Sequence, residues 1–311
     1  MSNMNDAMGL RIQYGNTSGQ FDTEYEPCSS TVWGYMHPKG NPCFSLALLN
    51  DIREHDAALE ANGGLIEADG ATYPVRYYVG ASRSARAYNL GGDLALFMLL
   101  IKTGDRSALA RYAGKCIDNL YARISHYGSS TLTTIALVQG DALGGGFECA
   151  LTSDVIVAEE SAQMGLPEIM FNLFPGMGAY QLLARRIGVR AAEEMILSGR
   201  VLPAKKLHEM GLVDVLAKDG QGESAVQEWI GANRRRQNGT RAVFGLRQIC
   251  NPITRQELDS VVESWVDAAL RLTERDLRMM SWLSRAQQQR CAQATPPADE
   301  IQNVVPIAAA G

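Results

Sequence analysis

Residues 142–180 read ALGGGFECALTSDVIVAEESAQMGLPEIMFNLFPGMGAY, with three glycines just before Glu148 and a second glutamate, Glu168, twenty residues further on. A glycine-rich turn that feeds a helix exposes backbone N–H groups with no intrahelical acceptor, at the end where the helix dipole favours negative charge. An oxyanion is stabilised there. Two carboxylates from neighbouring segments, one taking a proton and the other giving one, complete a site for moving protons around a carbonyl. A lone triple glycine is most often an ordinary tight turn. The two glutamates that follow it, and a second glycine loop upstream at residues 89–92, turn the reading toward an active site. Glu168 lies between Leu166 and an apolar run, residues 169–174, which argues against full exposure.

Working outward, residues 133–139 (TTIALVQ) form a nearly continuous apolar run, the pattern of a strand covered on both faces, and lead into the triple glycine. Residues 155–158 read as another short buried strand. Further upstream, residues 31–37 (TVWGYMH) and 73–79 (YPVRYYV) read as strands, the second emptying into the loop at 87–97. Helical spacing runs through 45–62, 93–102 and 105–126, with Asp93 placed as an N-cap. Strands alternating with helices predict an α/β fold built by right-handed crossovers, with its site where loops leave the carboxyl ends of strands. Both glycine loops hold that position.

From residue 177 the pattern turns helical, through 177–187, 190–197, 204–210 and 223–235. One long piece at 254–289 carries Leu258, Val262, Trp265, Ala269 and Leu272 on a stripe that must be packed. Residues 1–30 are polar and irregular, with one strand near 10–14. This divides the chain into an N-terminal extension (1–30), a catalytic core (31–220), a C-terminal helical region (221–290) and a mobile tail (291–311).

Bulk properties narrow the function. The chain has 311 residues, 46% hydrophobic and 20% charged, ordinary for a globular protein. A net charge of -5 argues against nucleic acid as a partner. Six cysteines without a CxxC pair, and an N-terminus lacking basic and apolar signal regions, lead to the expectation of a reduced, cytoplasmic protein. No apolar run approaches the ~18 to 20 residues of a membrane span. The four histidines are scattered, so no metal is expected.

ALGGGFECAL, MGLPEIMFNLFPGMGAY and VRAAEEMILSGRVLPAKKLHEMGLVD (residues 189–214) together resemble the enoyl-CoA hydratase/isomerase, or crotonase, superfamily. The resemblance implies a ββα spiral core followed by a C-terminal helical region, with acyl thioesters bound through their carbonyl in an oxyanion hole of two backbone N–H groups. Carried over, Gly145 is one donor and the other lies within residues 89–92, Leu90 or Gly91 being favoured. Retention of both Glu148 and Glu168 implies addition or elimination of water across the α and β carbons. NLGGDLALF, LVQGDALGGGFE and the late WVDAAL at residues 265–270 narrow the resemblance to the diffusible signal factor synthases. These dehydrate 3-hydroxyacyl groups on acyl carrier protein and release cis-2-unsaturated fatty acids as quorum-sensing signals.

That family implies no cofactor beyond the phosphopantetheine of acyl carrier protein or CoA, a homotrimer, and an acyl tunnel for which Met170, Leu173 and Trp265 are candidates. Core packing competes with that role for the same apolar residues. The arginines at 185, 186, 190 and 234–236 read first as a solvated face and second as a surface for an acidic carrier. A conventional 2-enoyl-CoA hydratase stands as the alternative, as does a catalytically weak protein that docks a signalling partner such as a sensor kinase.

Overall fold

The computed structural model describes residues 10–15, 19–68, 70–84 and 86–292. Strands β1 (Ile12–Tyr14), β2 (Phe21–Glu26) and β3 (Thr31–Met36) lead into helix α1 (Leu46–Ala61) and the hairpin β4 (Leu65–Ala68) and β5 (Ala71–Pro74). Then come β6 (Tyr77–Ser82), β7 (Ala87–Asn89), α2 (Leu94–Lys102), α3 (Arg106–Ile124), β8 (Thr133–Val138), β9 (Asp141–Leu143) and α4 (Gly145–Leu151). The chain continues through β10 (Val155–Glu159), β11 (Gln163–Gly165), α5 (Ala179–Ile187), α6 (Val189–Ser198), β12 (Val201–Pro203), α7 (Ala204–Glu209) and β13 (Val215–Ala217). Four helices close it: α8 (Gly222–Asn233), α9 (Gln237–Cys250), α10 (Arg255–Ala269) and α11 (Glu274–Ala292).

The main sheet has the order β1-β2-β3-β6-β8-β10-β13, parallel from β3 onward, and a smaller sheet has the order β12-β11-β9-β7. All residues of β3, β6, β8 and β10 are buried, which explains their unbroken apolar runs. Alternate side chains serve opposite faces. Trp33, Tyr77, Val79, Ile135, Leu137 and Val157 meet Val226 and Ile230 of α8, whereas Val32, Tyr78, Ala136, Val138 and Ile156 join the large core beneath α1 and α3.

The two sheets meet at the site. Strand β8 ends at Val138, β9 begins at Asp141 in the small sheet, and α4 starts directly after β9. The three glycines let α4 sit against β7. A β-carbon on Gly146 would collide with the Asn89 carbonyl oxygen, one on Gly145 would press on Met177 Sδ at 2.7 Å, and one on Gly144 would strike Glu168 Oε1.

Several elements depart from the sequence reading. The polar stretch before residue 30 holds two strands, not one, and both extend the main sheet. The strand expected at 73–79 is two, because the chain breaks at 75–76, where Arg76 N–H turns to donate to Ser30 O. The helix expected at 254–289 is also two. Thr273 and Asp276 cap each other there, the Thr273 hydroxyl donating to Asp276 Oδ2 at 2.8 Å, and α11 starts anew. Helix α9, with glycines at 239 and 245 and no buried residue, was not anticipated. Helix α11 reaches Ala292, and the rest of the expected tail lies outside the described residues. Among the described residues no helix is long and apolar enough to cross a membrane.

Candidate active site

Helix α4 and the short 3-10 turn Pro167–Phe171 bring the two glutamates to one pocket. Glu148 is 1% exposed. Its Oε1 accepts from the N–H groups of Met177 at 2.8 Å and Ala179 at 2.9 Å, the latter opening α5, so a helix start faces the carboxylate. Burial pushes Glu148 up to about 7, against the pull of these two donors toward the ionised form. Glu168 is half-buried as a residue, but its Oε2 is out of solvent with no hydrogen-bond partner among the described residues. Burial, and then the Glu148 charge, push it up to about 8. These influences favour a pair with its charge on Glu148, where two backbone donors lie, and its proton on Glu168.

Two backbone N–H groups open into the same pocket without an acceptor among the described residues. One is Gly145, first residue of α4, and the other is Gly92. They are near each other, since a β-carbon on Gly145 would stand 3.7 Å from Gly92 N. Leu90 and Gly91, expected as the second donor, are both engaged elsewhere. Leu90 N–H donates to Pro42 O at 2.7 Å, and Gly91 N–H donates to Asn89 Oδ1 at 2.8 Å. The sequence argument named this loop but could not say which N–H groups the loop itself consumes. Asn89 was not singled out, although an Asn two residues before a tight glycine is a recognisable turn former.

The pocket has a cavity of about 60 Å³ and is otherwise apolar. Leu173 and Trp265 line it as expected, and Met170 does not: it is 53% exposed, because the 3-10 turn points it outward. The wall is completed by Phe97, Tyr112, Cys116 and, from α11, Leu283. Trp265 stands edge-on to Phe97 at 5.0 Å between centroids and so close to Gly176 that a β-carbon there would lie 2.5 Å from the indole ring. Asp93 caps α2 as expected, accepting from Leu96 N–H at 3.0 Å.

Residues 102–244 match the enoyl-CoA hydratase/isomerase family. The two glutamates and the α4 turn lie within that match, and strands β1 to β7 precede it. The fold is the crotonase fold. A probable enoyl-CoA hydratase of Rhizobium meliloti is 36% identical over 179 residues, 56% of this chain and 62% of the relative. Human mitochondrial methylglutaconyl-CoA hydratase is 40% identical over 116 residues, 37% of this chain and 34% of the relative. This chain thus spans less than two thirds of the length of these curated relatives. Among solved structures, an enoyl-CoA hydratase of Bacillus halodurans superposes with a TM-score of 0.70 at 16% identity, covering 85% of this chain and 99% of that one. Pseudomonas aeruginosa DspI superposes with a TM-score of 0.61 at 24% identity, covering 82% and 90%. At these identities the likeness is one of crotonase fold.

Proposed function

We propose that this chain is an acyl-thioester hydro-lyase that dehydrates a 3-hydroxyacyl group on acyl carrier protein to the cis-2-enoyl thioester and then hydrolyses the thioester to the free unsaturated acid. The observation that carries the reading is the convergence, in one apolar pocket, of two carboxyl groups of raised proton affinity with two unengaged N–H groups. The Gly92 and Gly145 N–H groups hold the thioester oxygen as it becomes an enolate, an effect worth ~10²- to 10³-fold per donor. Glu168, whose Oε1 lies against Gly144 and so beside Gly145, faces the α-carbon. Glu148, deeper and tied to the start of α5, faces the β-oxygen.

In the dehydration direction Glu168 takes the α-proton and Glu148 protonates the leaving β-hydroxyl, which departs as water. A second water then attacks the thioester carbonyl, its proton going to the ionised glutamate. The tetrahedral oxyanion occupies the same two donors, and as it collapses the C–S bond breaks, the sulfur taking the proton held on Glu168 to leave as the carrier's thiol. No metal or redox group enters the scheme, and phosphopantetheine is the only prosthetic arm it needs.

A second reading, reversible hydration of a 2-enoyl-CoA, is favoured by the resting protonation. With the charge on Glu148 and the proton on Glu168, the pair is set to deprotonate water and to protonate the α-carbon. The relatives' hydratase names point the same way. A docking protein without chemistry would not need two glutamates buried at the cost of such raised proton affinity. Incubation with 3-hydroxyacyl carrier protein and with 2-enoyl-CoA, followed by mass spectrometry, separates the readings. Free unsaturated acid from the carrier-bound substrate supports the first; hydration of the enoyl-CoA with no free acid from either supports the second.

A further inference from the structure

Residues 274–286, in helix α11, read ERDLRMMSWLSRA. At 3.6 residues per turn, Leu277, Met280 and Ser284 share one side of the helix, and Arg275, Arg278, Met279, Trp282 and Arg285 share the other. The structure keeps that division. The first three are buried, whereas Met279 is 40% exposed, Trp282 is 58% exposed and the three arginines face solvent. Leu277 and Met280 join the core, and Leu283, on the flank between the two faces, lines the apolar pocket of the glutamates.

The cations of this outer face differ from those the sequence brought forward. Arg185 and Arg186, read there as a solvated face or a surface for an acidic carrier, are spent within the chain. Arg185 donates to the carbonyls of Gln181, Asn251 and Pro252, and Arg186 to those of Leu151 and Ser153. Arg278 and Arg285 have neither a hydrogen bond nor an ion pair among the described residues. They stand four residues before and three after Trp282, so the two guanidiniums flank the indole. The carboxylates of this helix are kept at its start and off this face. Glu274 and Asp276 are turned about 100° to either side of Arg275, and Asp276 accepts from Thr273 N–H at 2.8 Å and from the Thr273 hydroxyl.

An indole in water beside two uncompensated guanidiniums is stabilised by a surface that removes the ring from water and carries the opposite charge. An anionic bilayer supplies both, in the right order of depth. Its phosphates match the guanidinium forks, and the boundary of its acyl chains takes an amphipathic ring and a flexible thioether. A folded acidic protein would answer the arginines, but it would need a matching apolar pocket for a ring that stands out from the helix.

We propose that the outer face of α11 binds the surface of an anionic lipid bilayer, with Trp282 and Met279 entering the headgroup layer and Arg278 and Arg285 on the phosphates. The helix then lies in the plane of the surface, and roughly 10 Å, the thickness of one helix, separates lipid from the apolar pocket. The cationic face stands whatever reaction the glutamates perform; the preference for lipid over a protein partner rests on the acyl substrate proposed above.

Co-sedimentation of the full chain with vesicles tests this, and it is run without substrate so that its outcome is independent of turnover. Vesicles of phosphatidylglycerol mixed with phosphatidylcholine are compared with vesicles of phosphatidylcholine alone at low ionic strength. The expected result is binding to the anionic vesicles only, with a blue shift of tryptophan emission, both reversed by sodium chloride. At about fivefold per arginine, the Arg278→Gln/Arg285→Gln double variant should partition at least tenfold more weakly. Trp282→Ser should also bind more weakly and lose the blue shift. All three positions are exposed, so the circular dichroism spectra should be those of the wild type. No binding to anionic vesicles, which is also the result for a face that docks an acidic protein, would overturn the proposal. So would equal binding to both kinds of vesicle, or undiminished binding by the double variant. A smaller assembly for Trp282→Ser than for the wild type in lipid-free analytical ultracentrifugation would assign the face to a contact between copies of this chain and overturn it as well.

Discussion

The proposed chemistry rests on how two carboxyl groups of the same kind are made unlike. Glu148 has two backbone donors and a helix start, and Glu168 has an orphaned oxygen and a charged neighbour. The productive state for hydration has Glu148 ionised and Glu168 protonated. Its population rises as pH climbs through about 7, where Glu148 loses its proton, and falls through about 8, where Glu168 loses its own. The kcat/KM for hydration of a 2-enoyl-CoA is therefore expected to be bell-shaped with its maximum between those values. A rate flat from pH 5 to 9 would refute the shared-proton pair. At this scale the convergence of both glutamates and Gly145 on one pocket was legible in the sequence, because their spacing is local. Met170 was misread since helical periodicity does not reveal which way a 3-10 turn points a side chain.

At the scale of elements, the proposed oxyanion donors depend on how the 89–92 loop is pinned beside α4. Asn89 Oδ1 takes the Gly91 N–H. The Tyr112 hydroxyl donates to Phe44 O and accepts from Asp93 N–H at 3.1 Å, directly after Gly92. The loop is held on both sides of the free N–H. Asn89→Ala should lower kcat by about 10²-fold with KM little changed, the signature of a donor lost mainly in the transition state. An equal rise in KM at constant kcat would point to simple loss of binding. Which N–H groups stay free was not readable from the sequence, because it depends on partners, Pro42 and Phe44, some fifty residues upstream.

Trp265 was legible as part of a buried stripe but ambiguous between tunnel and core, and the structure places it in both. It lines the pocket and packs on Gly176 and Phe97. Trp265→Ala should therefore cost ~3 to 5 kcal/mol in urea unfolding and also shift the preferred acyl length upward in competition assays. A stability loss with unchanged chain-length preference would leave it a core residue only.

Over the whole molecule, the alternation of strands and helices was legible from residue 31 to about 160 because buried parallel strands carry unbroken apolar runs, whereas the three-residue strands β12 and β13 are too short to show in a stretch that reads as helical. The N-terminal strands were obscured because their outward residues are polar: β2 reads FDTEYE, with every second position facing inward. Yet they cover the edge of β3. Arg11 lies over the Trp33 ring at 4.0 Å and joins Glu24 and Glu223, tying this region to α8. Truncation before residue 27 should expose the β3 edge and its aromatic face, giving aggregation on purification rather than a soluble core. A soluble, monodisperse truncated protein would show the strands to be dispensable. The break between α10 and α11 was signalled by Thr273 and Asp276, but a strong amphipathic stripe on both sides masked it.

The central claim is that Glu168 works at the α-carbon and Glu148 at the β-oxygen, and exchange of the α-hydrogen tests it most directly. A 3-hydroxyacyl thioester is incubated in D2O with the wild type, Glu148→Gln and Glu168→Gln, and deuterium at the α-carbon is read by mass spectrometry alongside water loss. The account predicts no α-exchange and no enoyl product with Glu168→Gln, and retained α-exchange without enoyl product with Glu148→Gln. Exchange at wild-type rate in folded Glu168→Gln would contradict it.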